Sequence, residues 1–339
     1  MLIDMHAHVI PGEFPDGGPD TEGWPSMTPT GEGGARLLES GQVRYTAQQA
    51  WFDAEHRLAA MDASGTDAEV VSPMPPLLNY ALPAKSGRDL CRWINEFIAR
   101  LCAVDAGRFF GLGTVPLADP DLAAAELSDI ASSGLAGVEI ASNVSGVSLG
   151  DDRFLGFFAE AERLSVPIFV HAANPTLGER LPRAAFGTFA IGVEIAIAAA
   201  DVVTSGLAEK CPNLRLAFSH GAGGFPLTLP RAQYFWGGTW NEEPGGQPFG
   251  PYQQQRPAEG PTELARRFYY DTLVFDRRAL RFLIDMIGSD RLLVGSDFPA
   301  MPREQPTGAT LRSMALPQAV LDDITWRNCF RFLGIEPPG

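Results

Sequence analysis

Cysteine, histidine, lysine and basic charge are all scarce in this chain, and the shortages close off several classes of function. The four cysteines, Cys91, Cys102, Cys211 and Cys329, are widely spaced over 339 residues. They form neither a zinc nor a redox motif, which fits buried thiols in a reducing cytoplasm. With 26 Lys+Arg against 41 Asp+Glu the net charge is −15, so the protein repels nucleic acid and anionic membrane. An anionic small-molecule substrate would need arginines placed locally. No basic segment leads into an apolar signal-like run, and no apolar run is long enough to span a bilayer. Core-forming material is ample, with hydrophobic residues at 45%, an ordinary value for a globular protein. A chain of this length is either two domains or one large α/β barrel.

The few histidines are placed in a pattern. His6 and His8 end the apolar run Leu2-Ile3-Asp4-Met5-His6-Ala7-His8, and residues i and i+2 of a strand leave the same face. Imidazole suits divalent transition ions, so the pair reads either as a chelate or as two surface histidines where a strand stops. His171 ends Val166–Val170, His220 ends Leu214–Ser219, and Asp297 follows Leu292–Ser296. Each also has a plainer reading, a satisfied core histidine or a capping aspartate. Five metal-type ligands at four strand ends favour one common site. His56, inside Asp53-Ala54-Glu55-His56-Arg57, reads as a solvated helix residue.

Eight strand-like runs alternate with helical patterns. The strands are expected at 2–8, 68–73, 109–115, 136–141, 167–171, 214–220, 268–272 and 292–297. Helices are expected at 53–64, 88–106, 121–132, 154–164, 193–208 and 277–286. Near-continuous apolar strands alternating with amphipathic helices indicate parallel strands buried on both faces, and eight such units predict a (β/α)8 TIM barrel over 1–339. In a closed barrel all strand ends face one mouth, so His6, His8, His171, His220 and Asp297 converge from strands one, five, six and eight. An open doubly wound sheet would not bring strand eight beside strand one. Two Gly/Pro-rich stretches interrupt the rhythm: an insertion at 11–45 after strand one, with a hairpin around Ser40-Gly41, and a loop insertion at 237–265 after strand six. Both are expected at the mouth, as a small appendage and a lid or as plain surface loops.

The His6-x-His8 strand, His171, His220 with Gly221-Ala222-Gly223-Gly224, and Gly295-Ser296-Asp297-Phe298-Pro299 resemble the amidohydrolase superfamily. Within it they resemble the branch typified by 2-amino-3-carboxymuconate 6-semialdehyde decarboxylase, which includes hydroxybenzoate-type decarboxylases. Trp51-Phe52-Asp53, Arg57 to Asp62, Val115-Pro116-Leu117 and Tyr270-Asp271-Thr272 extend the likeness over nearly the whole chain. The resemblance implies that His6, His8, His171 and Asp297 bind one divalent metal, zinc or manganese. It implies that His220 contacts the metal-bound water as acid or base, making His220 and Asp297 the catalytic pair. An arginine eleven residues after that histidine binds substrate carboxylate in this branch, often across a dimer interface, and Arg231 holds that position. A second family arginine precedes the Trp-Asp segment, and Arg44 approximates it with its spacing off by one. An aromatic that the decarboxylase carries three residues after the metal aspartate is Ala300 here, so the pocket differs in shape.

Two ions are not expected. Binuclear amidohydrolases commonly use a carboxylated lysine at a strand end, whereas the only lysines here, Lys85 and Lys210, fall in a loop and a turn. Arg231 has a plainer reading as a surface ion pair, and Tyr234, Phe235 and Trp236 read as helix packing or as a substrate platform. Three functions follow: a metal-dependent, oxygen-independent decarboxylase of an unsaturated or aromatic carboxylic acid acting as a homodimer; a hydrolase or hydratase of a lactone, amide or enol acid, because fold and metal do not fix the reaction; and a non-catalytic barrel. Carbon dioxide release separates the first two.

Overall fold

The computed structural model describes residues 1–17, 22–31, 33–237, 248, 250–254 and 257–337. In chain order the strands are β1 (Ile3–Val9), β2 (Ser26–Pro29), β3 (Arg36–Ser40), β4 (Val43–Ala47), β5 (Ala68–Pro73), β6 (Phe109–Gly113) and β7 (Gly137–Ala141). They continue as β8 (Asn143–Val144), β9 (Val147–Ser148), β10 (Ile168–His171), β11 (Leu216–Phe218), β12 (Tyr269–Asp271) and β13 (Leu292–Leu293). Eight of them pair in the order β1-β5-β6-β7-β10-β11-β12-β13, every pair parallel. The sheet closes on itself. Ala7 bridges Phe298 in parallel, and Met5 N–H donates to the Val294 carbonyl at 2.7 Å. The expected α/β (β/α)8 TIM barrel is the fold.

Local signals explain the helices around it. Ala54–Ser64 is N-capped by Asp53 and ends at Gly65 in the left-handed conformation, while Pro120–Ser132 is capped by Asp119 and Arg277–Ile287 by Asp276; such caps satisfy the first-turn N–H groups. Ile3, Met5, Val70, Leu112, Phe169, Ala217 and Leu293 form a separate inner apolar cluster with Phe330 and Phe332 of the C-terminal helix. The larger cluster lies where helices cover the strands.

All eight barrel strands fall where the apolar runs place them, but four stop short of their expected ends: β6 at Gly113, β11 at Phe218, β12 at Asp271 and β13 at Leu293. Beyond β11 and β13 the chain turns, with His220 (φ 52°) and Asp297 (φ 58°) left-handed, a backbone region incompatible with a strand. These two site residues therefore stand on turns at the mouth.

The first insertion forms an antiparallel sheet, β2-β3-β4. The hairpin around Ser40-Gly41 is β3 with β4. β2 gave no signal because its residues are mostly exposed and do not alternate. Ser40 Oγ donates to the Pro76 carbonyl at 2.9 Å and Arg36 donates to the Gly12 carbonyl, fastening the sheet to the barrel. Residues 18–21 and 32 of this insertion lie outside the described residues.

The second stretch is not where a mouth loop would be. It leaves the helix Phe225–Trp236 and returns to β12, so it is a helix-to-strand connection; the Gly/Pro signal marks a loop but not which end of a helix it follows. Its residues 238–247, 249, 255 and 256, including Trp240, Pro244, Gly245 and Gly246, lie outside the described residues.

The helical stretch Arg183–Thr204 is by length and composition apolar enough to cross a membrane, which corrects the expectation that no run is. Glu194 and Asp201 interrupt the run in sequence, and only the helix makes it continuous. Ile195, Ala199 and Val202 are buried, whereas Phe189, Val193 and Ile197 are exposed.

Candidate active site

Six polar side chains meet where β1, β10, β11, β12 and β13 end. His6 and His8 lie on β1, buried along its whole length, with Nε2 atoms 3.0 Å apart. Asp297 Oδ1 is 3.2 Å from His8 Nε2 and 3.6 Å from His6 Nε2. His171, at the end of β10, completes a buried group of four whose donor atoms all lie within 4.8 Å of one another. Gly295 makes the approach possible. A Cβ there would sit 2.9 Å from His6 Cβ and 3.0 Å from Asp271 Cβ, so any side chain would push the β13 turn off β1.

The outer ring nitrogens fix the inner ones. His6 Nδ1 is 2.6 Å from Asp271 Oδ2, His8 Nδ1 is 3.1 Å from the Pro73 carbonyl, and His171 Nδ1 is 2.9 Å from the Ala172 carbonyl. Oxygen acceptors at these positions require N–H at Nδ1, so in the neutral ring each Nε2 is the atom free to ligate. The Nε2 atoms of His6 and His8 share a hydrogen bond at 3.0 Å, while His171 Nε2 is buried with no hydrogen bond. A cation among the donors would displace the shared proton and give His171 Nε2 its partner. Three imidazoles and one carboxylate suit one divalent metal ion.

Charge is concentrated on the same spot. Burial pulls His6 toward neutrality, but Asp271 and then Asp297 outweigh it and lift its pKa to about 9. Burial, with the neighbouring His8 and His6 adding to it, holds His171 well below the ordinary imidazole value. Asp297, despite burial, is held below the usual carboxylate range by His8 and His6.

His220 stands beside the group of four, its ring centroid 5.2 Å from His6 and 5.1 Å from His171. Burial and the neighbouring His6 push its pKa down to about 4, so the ring is neutral near pH 7, and its Nε2 is buried with no hydrogen bond. Its turn is held by Asp271, which accepts the His220 N–H at 2.8 Å and the Gly221 N–H at 2.9 Å. Gly223 serves the same turn: a Cβ there would overlap the Gly192 carbonyl, so the glycine lets the turn press onto the helix Ile191–Thr204.

Two carboxylates in the site were not expected. Asp271 ends β12 as His171 ends β10, and the strand-end rule that found the others would have found it. Glu139 is a charge inside the fully buried strand β7, itself a signal. It lies 3.7 Å from His8 Nδ1, and burial pushes its pKa up to about 7.

The two arginines expected to hold substrate are placed outside this group. Arg44 is exposed and pairs with Glu39 at 3.0 Å. Its neighbour Tyr45 packs against Trp51 at 5.2 Å and feels the Asp297 charge. Adjacent strand residues point oppositely, so Arg44 faces away from the site of its own chain; its spacing was legible in the chain, but its face was not. Arg231 lies on the exposed face of the helix Phe225–Trp236, 4.9 Å over the Phe235 ring. His56 is exposed and bonded to Asp53 at 2.7 Å, and Ala300 is exposed.

A metal-ligating group at the mouth of a parallel barrel defines the class, and the sequence matches it: the chain belongs to the amidohydrolase family, matched over residues 3–335. Within that family it stands in the branch of 2-amino-3-carboxymuconate 6-semialdehyde decarboxylase. The enzyme of that name from Dictyostelium discoideum is 26% identical over 99% of this chain and 92% of its own length. The crystal structure of 5-carboxyvanillate decarboxylase from Sphingomonas paucimobilis is 26% identical, covers 83% of each chain and superposes with a TM-score of 0.73. That of dihydroxybenzoic acid decarboxylase from Polaromonas sp. JS666, holding manganese and 2-nitroresorcinol, is 24% identical, with a TM-score of 0.70 over 83% of this chain and 85% of that one.

Proposed function

We propose that this protein is a metal-dependent, oxygen-independent decarboxylase of an unsaturated or aromatic carboxylic acid bearing amino or hydroxy groups. The observation that carries the reading is the buried His6, His8, His171 and Asp297 group at the mouth of a barrel similar to decarboxylases over its whole length. These four residues hold one ion. Zinc suits three imidazoles and a carboxylate, and manganese, found in the Polaromonas enzyme, is the second choice. When bound, the ion supplies Lewis acidity toward substrate oxygen and a water whose pKa falls to about 7.

His220 moves the proton. Its neutral Nε2 takes one from a substrate hydroxyl or from water and delivers it to the carbon that carries the carboxylate. That carbon then has an electron-poor neighbourhood, so the electrons of the breaking C–C bond return to the unsaturated system as carbon dioxide leaves. Asp271 keeps His220 in place, and Asp297 acts with it as the carboxylate at the reacting centre.

A homodimer supplies the substrate's countercharge. Arg231 lies between the exposed Leu227 (72% accessible) and Tyr234 (65%) on its helix, and the helix Ile191–Thr204, which packs against that helix, exposes Val193 and Ile197. Exposed apolar side chains of this kind suit a protein contact, and a second copy here would carry Arg231 toward the partner's mouth, where its planar fork grips a carboxylate. The β2-β4 sheet forms the appendage over the mouth, and the four free cysteines fit a cytoplasmic location.

The test is carbon dioxide release from carboxylated phenols, aminophenols and muconate semialdehydes, followed with ultraviolet loss of substrate. Turnover of an amide, lactone or enol acid without carbon dioxide would move the reading to a hydrolase or hydratase.

A further inference from the structure

Under the metal-ligating group lies a charged cluster that neither binding nor proton transfer uses. Asp4, Arg57, Glu69 and Arg303 are all buried, two of each sign. Arg57 and Arg303 both bond Glu69, and Arg303 also reaches Asp4 at 3.2 Å. Every member except Glu69 then touches a ligand's backbone or its neighbour. Asp4 accepts the His6 N–H at 3.2 Å and the Ser296 hydroxyl; Ser296 Oγ in turn accepts the Phe298 N–H at 3.2 Å. Arg57 donates to the His8 carbonyl at 2.7 Å. The Phe298 ring has the Arg303 guanidinium 4.0 Å from its centroid and that of Arg57 at 5.5 Å.

Asp297 is thus bracketed on both sides by residues the cluster holds, in a left-handed conformation (φ 58°) that a non-glycine residue adopts at some cost. We propose that Arg303, Asp4 and Ser296 form a positioning unit that keeps the Asp297 carboxylate against the His6–His8 pair. Arg303 is a positioning residue here: it reaches Asp297 only through the Ser296–Phe298 turn. The inference rests on the reading of Asp297 as a metal ligand, and the experiment separates the two.

Zinc affinity is measured by chelator competition on the full chain, together with the melting temperature of the metal-free protein. Removing an outer partner of a metal ligand typically costs about 10- to 100-fold in affinity. Ser296→Ala, which removes one hydroxyl and leaves every charge paired, is expected to weaken zinc by about 10-fold with little change in metal-free melting. Arg303→Gln is expected to weaken it by up to about 100-fold, and Arg303→Lys to recover only part, because an ammonium cannot hold Asp4 and Glu69 with one nitrogen while a second bonds Ser64 and Thr66. In an Asp297→Ala background, Ser296→Ala is expected to change affinity by less than about 2-fold, since coupled residues are non-additive. A purely structural cluster would lower melting and leave zinc affinity alone, and that result for Ser296→Ala overturns the proposal even where Arg303→Gln fails to fold. So does a full, additive loss in the double variant. Asp297→Ala with wild-type zinc affinity would overturn the ligand reading itself, and the positioning role with it.

Discussion

The inner and outer halves of the mouth treat polar side chains in opposite ways. Inside, Arg57 and Arg303 are locked onto Glu69 and His6 onto Asp271, so their charge is spent on geometry. Outside, Arg44 is mostly exposed beside Glu39, and Arg231 rests on an aromatic ring between exposed apolar neighbours. Burial makes a charge costly unless it is paired, so the inner cations cannot meet a ligand, while the outer ones can leave their partners at little cost. On the proposed reading the inner groups would place an ion and a proton, and the outer ones would meet substrate or a second copy.

The sharpest test of the inner half is His220→Ala. The variant is expected to keep about one zinc per chain and to lose about 10²- to 10⁴-fold in kcat, the usual worth of a positioned proton carrier; elemental analysis with steady-state kinetics checks both. Loss of the metal instead would make His220 a ligand and erase the division of labour.

Arg57→Ala comes next. It leaves Glu69 buried with only Arg303 as its partner, and a broken buried pair costs about 3–5 kcal/mol, measurable as a lower midpoint in urea unfolding. An unchanged midpoint would mean that the inner charges are no more structural than the outer ones.

For the outer half, Arg231→Ala is expected to fold and hold metal yet lose activity, and mixing it with His220→Ala chains is expected to restore part of that activity. Recovery requires that one site of a mixed dimer be intact in both chains' contributions. No recovery, or a normal rate for Arg231→Ala alone, would place Arg231 among plain surface charges.

The smallest effect is expected for Arg44→Ala. Breaking an exposed pair is worth about 0–1 kcal/mol, so urea unfolding should scarcely move. A large loss of activity in this variant, with stability intact, would show that Arg44 serves a site other than that of its own chain.

How much of this was legible follows the same divide. Strand ends are written in the chain as an apolar run meeting His or Asp, so His6, His8, His171, His220 and Asp297 could be gathered before any coordinates. The barrel then dictated their meeting. Asp271 obeyed the same rule at the end of Phe268 to Tyr270 and was passed over, although its hydrogen bond to His6 gives it a place in the site. Glu139, Asp4 and Glu69 sit inside strands, where a carboxylate reads as an exception until a partner is seen, and those partners can be far off in sequence, as Ser296 is from Asp4, 292 residues along the chain. Side-chain direction was illegible for another reason. Arg44 had an approximate spacing, and only the pairing of β3 with β4 decides which way it points.

The contact between Gly223 and the Gly192 carbonyl has a mechanical meaning. Because no side chain separates the His220 turn from the helix Ile191–Thr204, the two cannot move independently without opening a void. That helix carries Val193 and Ile197 on its outer surface. Whatever presses on those residues therefore bears directly on the segment that aims the His220 ring, and a methyl group at position 223 would act as a wedge felt at both ends.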